Sequence, residues 1–233
     1  MEVIAEQLPA EVLQQAAPVE ESLRLARLQA EAAEEHKEAR AAVDHAPPES
    51  ETTLRRKLEE AEQRERDLLA ALESLSVRHL PVYDHPSYMR RAFDDARRRI
   101  LIVSPWIRAE VVDSQFISRL RKALDRDIDV YIGYGIGDDG RERRHSKAVE
   151  RDQAAEAELR RVAGQYRSFH LANFGDTHAK VLVCDSRFSI VSSFNWLSFR
   201  GDRHLRFRDE RGMYVGIPEI VDALFEEYVS RFG

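Results

Sequence analysis

A histidine, a lysine and an aspartate stand at the two ends of one apolar run, THAKVLVCD, in the spacing His178-x-Lys180-x4-Asp185. Shortly after it, the segment SSFN carries Ser193 and Asn195. An imidazole can act as a nucleophile or as a general acid and base, and an ammonium, a hydroxyl and a carboxamide can hold the oxygens of a phosphate. These residue types together predict attack on a phosphorus atom.

The same spacing occurs a second time in HSKAVERD, from His145 to Asp152. This copy lies in a charged, alanine-rich segment that predicts a helix, where residues i and i+2 point about 200° apart. His178 and Lys180 instead begin a Val/Leu strand, and side chains at i and i+2 share one face of a strand. The strand copy is therefore the candidate site, and we assign the helical copy to chance.

The next apolar stretch, FSIVSSFN, predicts a hairpin partner for the strand of the motif. A two-residue loop at Ser186-Arg187 would place Asp185 opposite Phe188. Asp185 would then lie in the turn or on the far face, where it orients the structure and does not touch the substrate.

In that register the four polar groups share one face of the hairpin. Lys180 faces Ser193 and His178 faces Asn195, because residues paired across antiparallel strands point to the same side. A shift of one residue would break this cluster.

The elements that must hold these residues begin near residue 80. A helix over HPSYMRRAFDDARRR, a strand over ILIVSPWI, a helix over SQFISRLRKALDRD and a strand over DVYIGYG form a βαβ unit. There follow a helix that ends at Gly164, the strand-like segments RSFHLANF, HAKVLVCD and FSIVSSFNW, and a last helix, IPEIVDALFEEYVSRF. This order predicts one α/β sandwich of about 150 residues.

The front of the chain predicts helices. Residues 1–45 are rich in Ala, Glu, Gln and Leu without glycine, which indicates an acidic helical extension, and the prolines of HAPPES make 46–53 a linker. Residues 54–77 form a heptad-like helix with Glu65 as the one interruption of an apolar seam, made of Leu54, Leu58, Ala61, Leu68, Leu72 and Leu75. Two interpretations stay open: a coiled coil with another copy, and an amphipathic helix on the chain's own globular domain.

Composition limits the class of protein. The 233 residues are 43% hydrophobic, which suffices for one core with an extension. Because nothing resembles a signal peptide or a membrane span, we expect a soluble, cytoplasmic protein. The single cysteine, Cys184, excludes a disulfide framework and indicates a core residue. The net charge of −6 is concentrated in residues 1–75, so the total does not exclude a basic surface in 76–233.

One pattern in the chain resembles the HKD signature of the phospholipase D superfamily: His178-x-Lys180-x4-Asp185-x6-Ser192-Ser193-x-Asn195. Ser192 stands where that family commonly has glycine. The similarity covers residues 80–233 and implies a phospholipase D-like α/β sandwich, with a mixed β-sheet flanked by helices. The N-terminal helical, coiled-coil-like region is an extension of that domain.

The resemblance implies a metal-independent phosphodiesterase without a cofactor, and a nuclease in particular. Because the chain has one acceptable copy of the motif, it implies a homodimer in which two copies meet at a twofold axis. His178 of one chain would form a phosphohistidine while the partner's His178 acts as acid and base. Lys180, Ser193 and Asn195 would hold the phosphate oxygens, and Glu210 in RFRDERGMYV would fix the tautomer of the imidazole.

Arginines near the motif indicate the class of substrate. The candidate substrate-binding residues are Arg200, Arg203 and Arg206 in the loop SFRGDRHLRFRDER, with Trp106 at the rim. Arginine clusters bind successive phosphates, which favours nucleic acid. We expect DNA rather than RNA, although the arginines themselves do not distinguish the two. A solvated loop is the alternative for the arginines, because acids are interleaved with them, and core packing is the alternative for Trp106.

Three functions stay open: a nuclease, a nucleic-acid-binding or assembly module that hydrolyses poorly, and a phospholipase. We favour the nuclease, because a pure binder needs no imidazole beside the ammonium and no amphipathic helix with a basic face is evident. The segment SFNWLSFRGD is also similar to tails of larger bacterial ATPase or helicase proteins. That similarity implies an ATPase or helicase partner, or that this chain is a piece of a larger one.

Overall fold

The computed structural model describes residues 10–47, 50–136, 146–201 and 210–233. The chain divides into two compact units, Met1–His79 and Leu80–Gly233. The first unit contains two helices, α1 (Ala10–Asp44) and α2 (Glu51–Ser74), which pack as an antiparallel hairpin. Helix α2 begins within the stretch that was predicted as a linker.

The polar interruption of the α2 seam has a partner on α1. The Nδ1 atom of His36 lies 2.6 Å from a carboxylate oxygen of Glu65, and its Nε2 atom lies 3.4 Å from Glu62. Arg64 of α2 also pairs with Glu35 at 2.7 Å. A polar pair inside an apolar seam fixes the register of two helices. Helix α2 thus pairs within its own chain, and pairing with another copy stays a prediction.

The second unit is built on one mixed seven-stranded sheet in the order β1-β7-β6-β5-β2-β3-β4. The strands of the sheet are β1 (Val77–Pro81), which includes the boundary between the units, β2 (Arg99–Ser104), β3 (Asp129–Tyr134), β4 (Phe169–Asn173), β5 (Val181–Cys184), β6 (Phe188–Ser192) and β7 (Arg211–Val215). The helices of the second unit are α3 (His85–Asp95), α4 (Ser114–Leu124), α5 (Ser146–Ala163) and α6 (Pro218–Val229), with short 3₁₀ turns at Val82–Asp84 and Ser230–Phe232. The α/β sandwich predicted from the sequence is confirmed.

Hydrophobic cores cover both faces of the sheet. Strand β2 is parallel to β3, with α4 as the crossover, and β3 is parallel to β4 through α5. Strands β5, β6 and β7 join antiparallel. Alternate residues therefore serve opposite cores: Leu182 and Cys184 pack in the larger one, and Val181 and Val183 pack in the smaller one with α6.

The prediction from local sequence missed two strands, β7 and the edge strand β1. The sequence of β1, VRHLP, mixes basic residues with a terminal proline and shows no run of β-branched residues. In the described residues, no helix is both long enough and apolar enough to cross a membrane.

Candidate active site

The directions of the central strands bring the motif residues to the border of the sheet where the ends of these strands meet. We call this border the convergent edge. Parallel β2 ends at Ser104, and antiparallel β5 begins beside it, with Val103 paired to Val181. Strand β6 ends there at Ser192 and β7 begins there, with Ser192 paired to Gly212. The polar residues just outside these strand ends therefore converge, although they lie far apart in sequence.

His178 and Lys180 lie together at this edge. The Lys180 Nζ atom is 3.2 Å from each ring nitrogen of His178, and it donates a hydrogen bond to the His178 carbonyl at 2.7 Å. The imidazole is exposed, whereas Lys180 is only 7% exposed. An accessible imidazole beside a buried ammonium can attack a phosphate while the cation neutralises its oxygens.

The segment before β5 holds the backbone of His178. Thr177 is buried, and its amide donates to the Gly135 carbonyl at the end of β3, at 2.8 Å. The Thr177 hydroxyl oxygen accepts a hydrogen bond from the Ala179 amide at 3.3 Å. The strand predicted to begin at His178 begins at Val181, and these tethers replace the missing ladder bonds.

The predicted hairpin register is wrong by one residue. Cys184 pairs with Phe188, so the loop contains the three residues Asp185, Ser186 and Arg187. Asp185 takes a left-handed backbone conformation, with φ of +52°. Asn and Asp adopt that conformation more readily than other non-glycine residues, which permits the longer loop.

The shift changes which serine faces Lys180. The Ser192 amide donates to the Lys180 carbonyl at 3.1 Å, so Ser192 is opposite Lys180 in place of Ser193. Ser193 instead faces Arg211 of β7: its amide donates to the Arg211 carbonyl at 2.9 Å, and its hydroxyl accepts from the Arg211 amide at 3.0 Å. The four-residue cluster is therefore not formed in the predicted register, and the role of Ser193 in holding a phosphate stays a prediction, for which its hydroxyl proton remains able to donate.

Asn195 remains at the same edge because the chain leaves the strand after Ser192. The Leu197 amide donates to the Ser104 hydroxyl at 3.3 Å, and the Leu197 carbonyl accepts from the Arg108 amide at 2.8 Å. These bonds carry the Asn195 segment back over the end of β2. Among the described residues, the buried Asn195 Oδ1 atom has no hydrogen-bond partner. Because the chain leaves the strand after Ser192, the side chains of the next residues do not alternate between the two faces of the sheet as they would in a strand.

Asp185 lies at the other end of β5, about 16 Å from Lys180 for five residues of strand. Its carboxylate is buried and accepts hydrogen bonds from the amides of Arg97, Arg98 and Arg99 at 2.9 to 3.0 Å. It thereby ties the hairpin turn to the start of β2. Asp185 belongs to the motif that the resemblance makes catalytic, but its contacts agree with the expected structural role, since it lies at the edge opposite His178.

Glu210 influences the charge of Lys180. Burial lowers the pKa of the Lys180 ammonium below its ordinary value of 10.5, and the negative charge of Glu210 acts in the opposite direction. Within the described residues, no hydrogen bond joins Glu210 to His178. The carboxylate therefore lies near the cluster, and its predicted contact with the imidazole stays a prediction.

We expect Glu210→Gln to move the alkaline limb of the activity profile to lower pH. Removing the carboxylate charge lowers the pKa of Lys180 further, so the ammonium loses its proton at a lower pH. A profile of kcat against pH checks this, with Glu219→Gln on the exposed start of α6 as the matched loss of one carboxylate. An alkaline limb that stays in place would contradict the electrostatic link.

The candidate substrate-binding residues divide into two groups. Trp106 is half-buried, and its ring centroid lies 6.1 Å from that of His178 in an edge arrangement. Arg200 is exposed and pairs with Asp113 at 3.4 Å. Arg203 and Arg206 lie outside the described residues.

The helical copy of the spacing falls on α5, as predicted, although His145 lies outside the described residues. Lys147 is exposed on that helix. Asp152 is buried, and one of its carboxylate oxygens lies 3.4 Å from the guanidinium of Arg108. This aspartate thus has a structural partner that the spacing alone did not indicate.

Sequence reasoning missed Ser104, which is fully buried at the end of β2. Its hydroxyl donates to the Trp106 carbonyl at 3.3 Å and accepts from the Leu197 amide. It joins the two segments that flank the site. A polar residue at the end of the apolar run ILIVS was the available signal.

Cys184 is confirmed as a core residue. It is fully buried, and burial raises the pKa of its thiol to about 12. Such a thiol is not a nucleophile near neutral pH. In the parts of the chain that the structure describes, no three His, Cys, Asp or Glu side chains are grouped as metal ligands.

Comparisons with known proteins concern mainly the second unit. No curated protein matches the chain. Among the solved structures similar to it is a phospholipase D family member, Nuc, from Salmonella typhimurium, which has 18% sequence identity, covers 66% of this chain and 91% of its own, and has a TM-score of 0.46. NucT from Helicobacter pylori has 14% identity, covers 66% of this chain and 92% of its own, and has a TM-score of 0.46. Phosphatidylserine synthase from Haemophilus influenzae has 15% identity, covers 73% of this chain and 45% of its own, and has a TM-score of 0.47.

A family model described as "Cardiolipin synthase, PLD-like domain" matches residues 89–225, more than half of the chain. The matched region runs from α3 to α6 and contains all of β2 to β7. It therefore includes every residue of the convergent edge. The chain belongs to the phospholipase D superfamily, as a member of this PLD-like domain family.

Proposed function

We propose that the protein is a phosphodiesterase that cleaves nucleic acid through a phosphohistidine on His178. The observation that carries this proposal is the exposed His178 imidazole with the buried Lys180 ammonium 3.2 Å from its nitrogens. Members of the superfamily include phosphodiesterases, nucleases and synthases. A module that only binds a phosphate has no use for a nucleophile in this position.

The reaction proceeds in two displacements. An imidazole nitrogen of His178 forms a bond to phosphorus, the bond to the leaving oxygen breaks, and a second acid protonates that oxygen. Water then attacks phosphorus, the phosphorus–nitrogen bond breaks, and the water proton passes to the same second group. Lys180, Ser193 and Asn195 stabilise the charge on the phosphate oxygens.

The second acid comes from a second copy of the chain. In the described residues, His178 is the only histidine at this edge with an exposed ring, and the acceptable motif occurs once. A homodimer that joins two such edges supplies the partner's His178. Sedimentation velocity tests this assembly, and a strictly monomeric protein that still cleaves would rule out the shared site.

A cleft that is lined in part by the segment following the motif, although by no motif residue, supports a substrate larger than a single phosphate. It has a volume of about 250 Å³, and the residues that line it include Met89, Arg90, Phe194 and Arg200. Phe194 and Arg200 belong to the segment that follows the motif, and α4 begins at this edge after β2. The volume is below the 300 to 1,000 Å³ usual for drug-sized ligands, so it suits one ring-sized group such as a nucleobase better than lipid chains.

The decisive experiment measures cleavage of labelled single- and double-stranded DNA and RNA in excess EDTA, with phosphatidylcholine vesicles in parallel. Cleavage of a nucleic acid that survives EDTA supports the proposal, and the comparison identifies the preferred strand. Turnover of lipid alone would establish a phospholipase. Tight binding of nucleic acid without cleavage would establish the binding module, and its recruitment by an ATPase or helicase would then be the activity to test.

We expect Arg90→Glu to weaken oligonucleotide cleavage about tenfold at low salt, because a phosphate-binding cation becomes a repelling anion. In the described residues, Arg90 makes no ion pair. Hydrolysis of bis(p-nitrophenyl) phosphate, which has one phosphodiester and no neighbouring phosphates for Arg90 to bind, should stay unchanged. Arg98→Glu makes the same charge change at the opposite edge of the sheet. An equal loss in both variants would show that total charge, and not the cleft, governs binding.

A further inference from the structure

Trp106 lies against the imidazole that the proposed reaction uses. Its ring centroid is 6.1 Å from that of His178 with planes at 84°, within the range of favourable edge contacts between aromatic rings. The Trp106 Nε1 atom is buried and has no hydrogen-bond partner among the described residues. A substrate on the surface cannot reach this donor. Trp106 therefore acts on His178 through its ring.

His178 has few other restraints on its ring. The side chain is exposed and lies outside the strand, and Lys180 Nζ is equidistant from both of its nitrogens. In the described residues, the His178 ring donates no hydrogen bond to the Glu210 carboxylate. An exposed side chain with free χ angles samples several rotamers, of which few point a nitrogen at the phosphate. The edge contact with Trp106 restricts that choice.

The loop that carries Trp106 is anchored from behind by α5. One oxygen of the buried Asp152 carboxylate accepts a hydrogen bond from the Ala109 amide at 2.8 Å, and the other lies 3.4 Å from Arg108 Nη1. The Arg108 guanidinium lies 5.9 Å from the centre of the Trp106 ring, within range of a cation–π contact. The Arg108 amide also donates to the Leu197 carbonyl.

The buried ion pair of this anchor contributes more to the geometry of the loop than to the stability of the protein. Arg108 and Asp152 are 8% and 7% exposed, and burying an ion pair gives little net stability compared with apolar residues of similar size. Such a pair does constrain geometry, because breaking it leaves a buried charge without compensation. Here the constrained segment runs from Trp106 to Ala109.

We propose that Trp106 is a positioning residue for His178 and that Asp152, acting through Arg108, holds Trp106 in place. The proposal rests on the proposed function for its kinetic consequences, but the geometry itself can be tested without activity. The aspartate of the helical HSKAVERD copy would thus support the site without touching the substrate.

The test compares Trp106→Ala with Trp106→Phe in the full chain. Phenylalanine keeps an aromatic edge against His178 and removes the unpaired indole N–H. We expect Trp106→Ala to lower kcat about 30-fold with KM within about twofold, because misplacement of a reacting group by about 1 Å can cost up to 100-fold. Trp106→Phe should stay within about threefold of wild type.

Asp152→Asn tests the anchor against Glu156→Gln, one turn further along α5. Glu156 pairs with Tyr134 and Arg160 instead of the Trp106 loop. We expect Asp152→Asn to lower kcat about tenfold and Glu156→Gln to change it less than twofold. All rates are taken per folded molecule, at a temperature where circular dichroism shows each variant to be native.

The second readout is the NMR chemical shift of the carbon-bound ring protons of His178, which senses the ring current of Trp106. We expect both shifts to change in Trp106→Ala and in Asp152→Asn and to stay close to wild type in Glu156→Gln. Unchanged His178 shifts in the first two variants would overturn the proposal, even if both unfold more easily. If the wild type cleaves nothing, the proposed function fails while the NMR comparison still decides the positioning.

Discussion

His178→Ala should lower the rate of phosphodiester cleavage by about 10³- to 10⁴-fold, because it removes both the nucleophile and the general acid of the proposed reaction. The effect should fall on kcat more than on KM, since Lys180 and Asn195 still hold the phosphate. His178 is exposed outside the strands, so the free energy of unfolding should change by less than about 0.5 kcal/mol. The measurement is steady-state cleavage of a labelled oligonucleotide in EDTA.

The chain supplies its own control for this result. Lys147→Ala and His145→Ala remove side chains from the second occurrence of the same spacing, and we expect both to cleave like wild type. Lys147 is exposed on a helix, where no second motif side chain points the same way. Full activity of His178→Ala would contradict the assignment of the nucleophile. Loss of activity in all three variants would indicate that cleavage depends on the folded domain as a whole and not on His178 in particular.

Asp185→Ala should destabilise the protein strongly, although Asp185 belongs to the sequence motif. Its buried carboxylate accepts hydrogen bonds from three successive backbone amides, of Arg97, Arg98 and Arg99. Removing the acceptor leaves these amides without their partner, which we expect to cost about 3 to 5 kcal/mol of unfolding free energy. Urea unfolding followed by circular dichroism measures this change, and activity per folded molecule should be nearly unchanged.

The left-handed backbone at Asp185 contributes separately and can be isolated. Asp127 has a similar φ of +59° and is exposed, so Asp127→Ala removes the preference of Asp for this conformation without the loss of a buried acceptor. We expect that variant to lose less than about 1 kcal/mol, because Asp127 already carries a Cβ in this conformation and only the local preference of Asp for it is lost. Asp185→Gly relieves the backbone and still removes the acceptor. If Asp185→Gly is as stable as wild type, the hydrogen bonds are not the source of the stability.

Except for β7, the order of helices and strands from α3 to α6 was determined by local sequence. Apolar runs such as ILIV and VLVC are too short for helices and rich in β-branched residues, and the alternating charged segments carry a helical period, so each segment indicates its own state. The contrast between the two His-x-Lys copies was decided on the same basis. Residues two apart share a face only on a strand, which excluded His145 and Lys147 as a pair without any tertiary information.

The register of the β5–β6 hairpin was not determined in this way. A loop of two residues and a loop of three both fit the letters between Cys184 and Phe188. The choice depends on Asp185, whose carboxylate binds amides nearly ninety residues earlier in the chain. Those bonds exist only after β5 has paired with β2. Ser192, and not Ser193, consequently faces Lys180.

The partners of the remaining polar residues also required the tertiary structure. Glu65 interrupts an apolar repeat, and only the return of α2 along α1 brings it to His36. Asp152 repeats the spacing of a motif, and only the packing of α5 against the loop after β2 brings it to Arg108. Periodicity reports which face of an element is apolar, because burial of that face is a local pattern. Contacts between polar groups join chain segments that are distant in sequence, so no local pattern reports them. The sequence by itself therefore determined most of the elements and the candidate nucleophile. The three-dimensional packing decided which groups surround each charge.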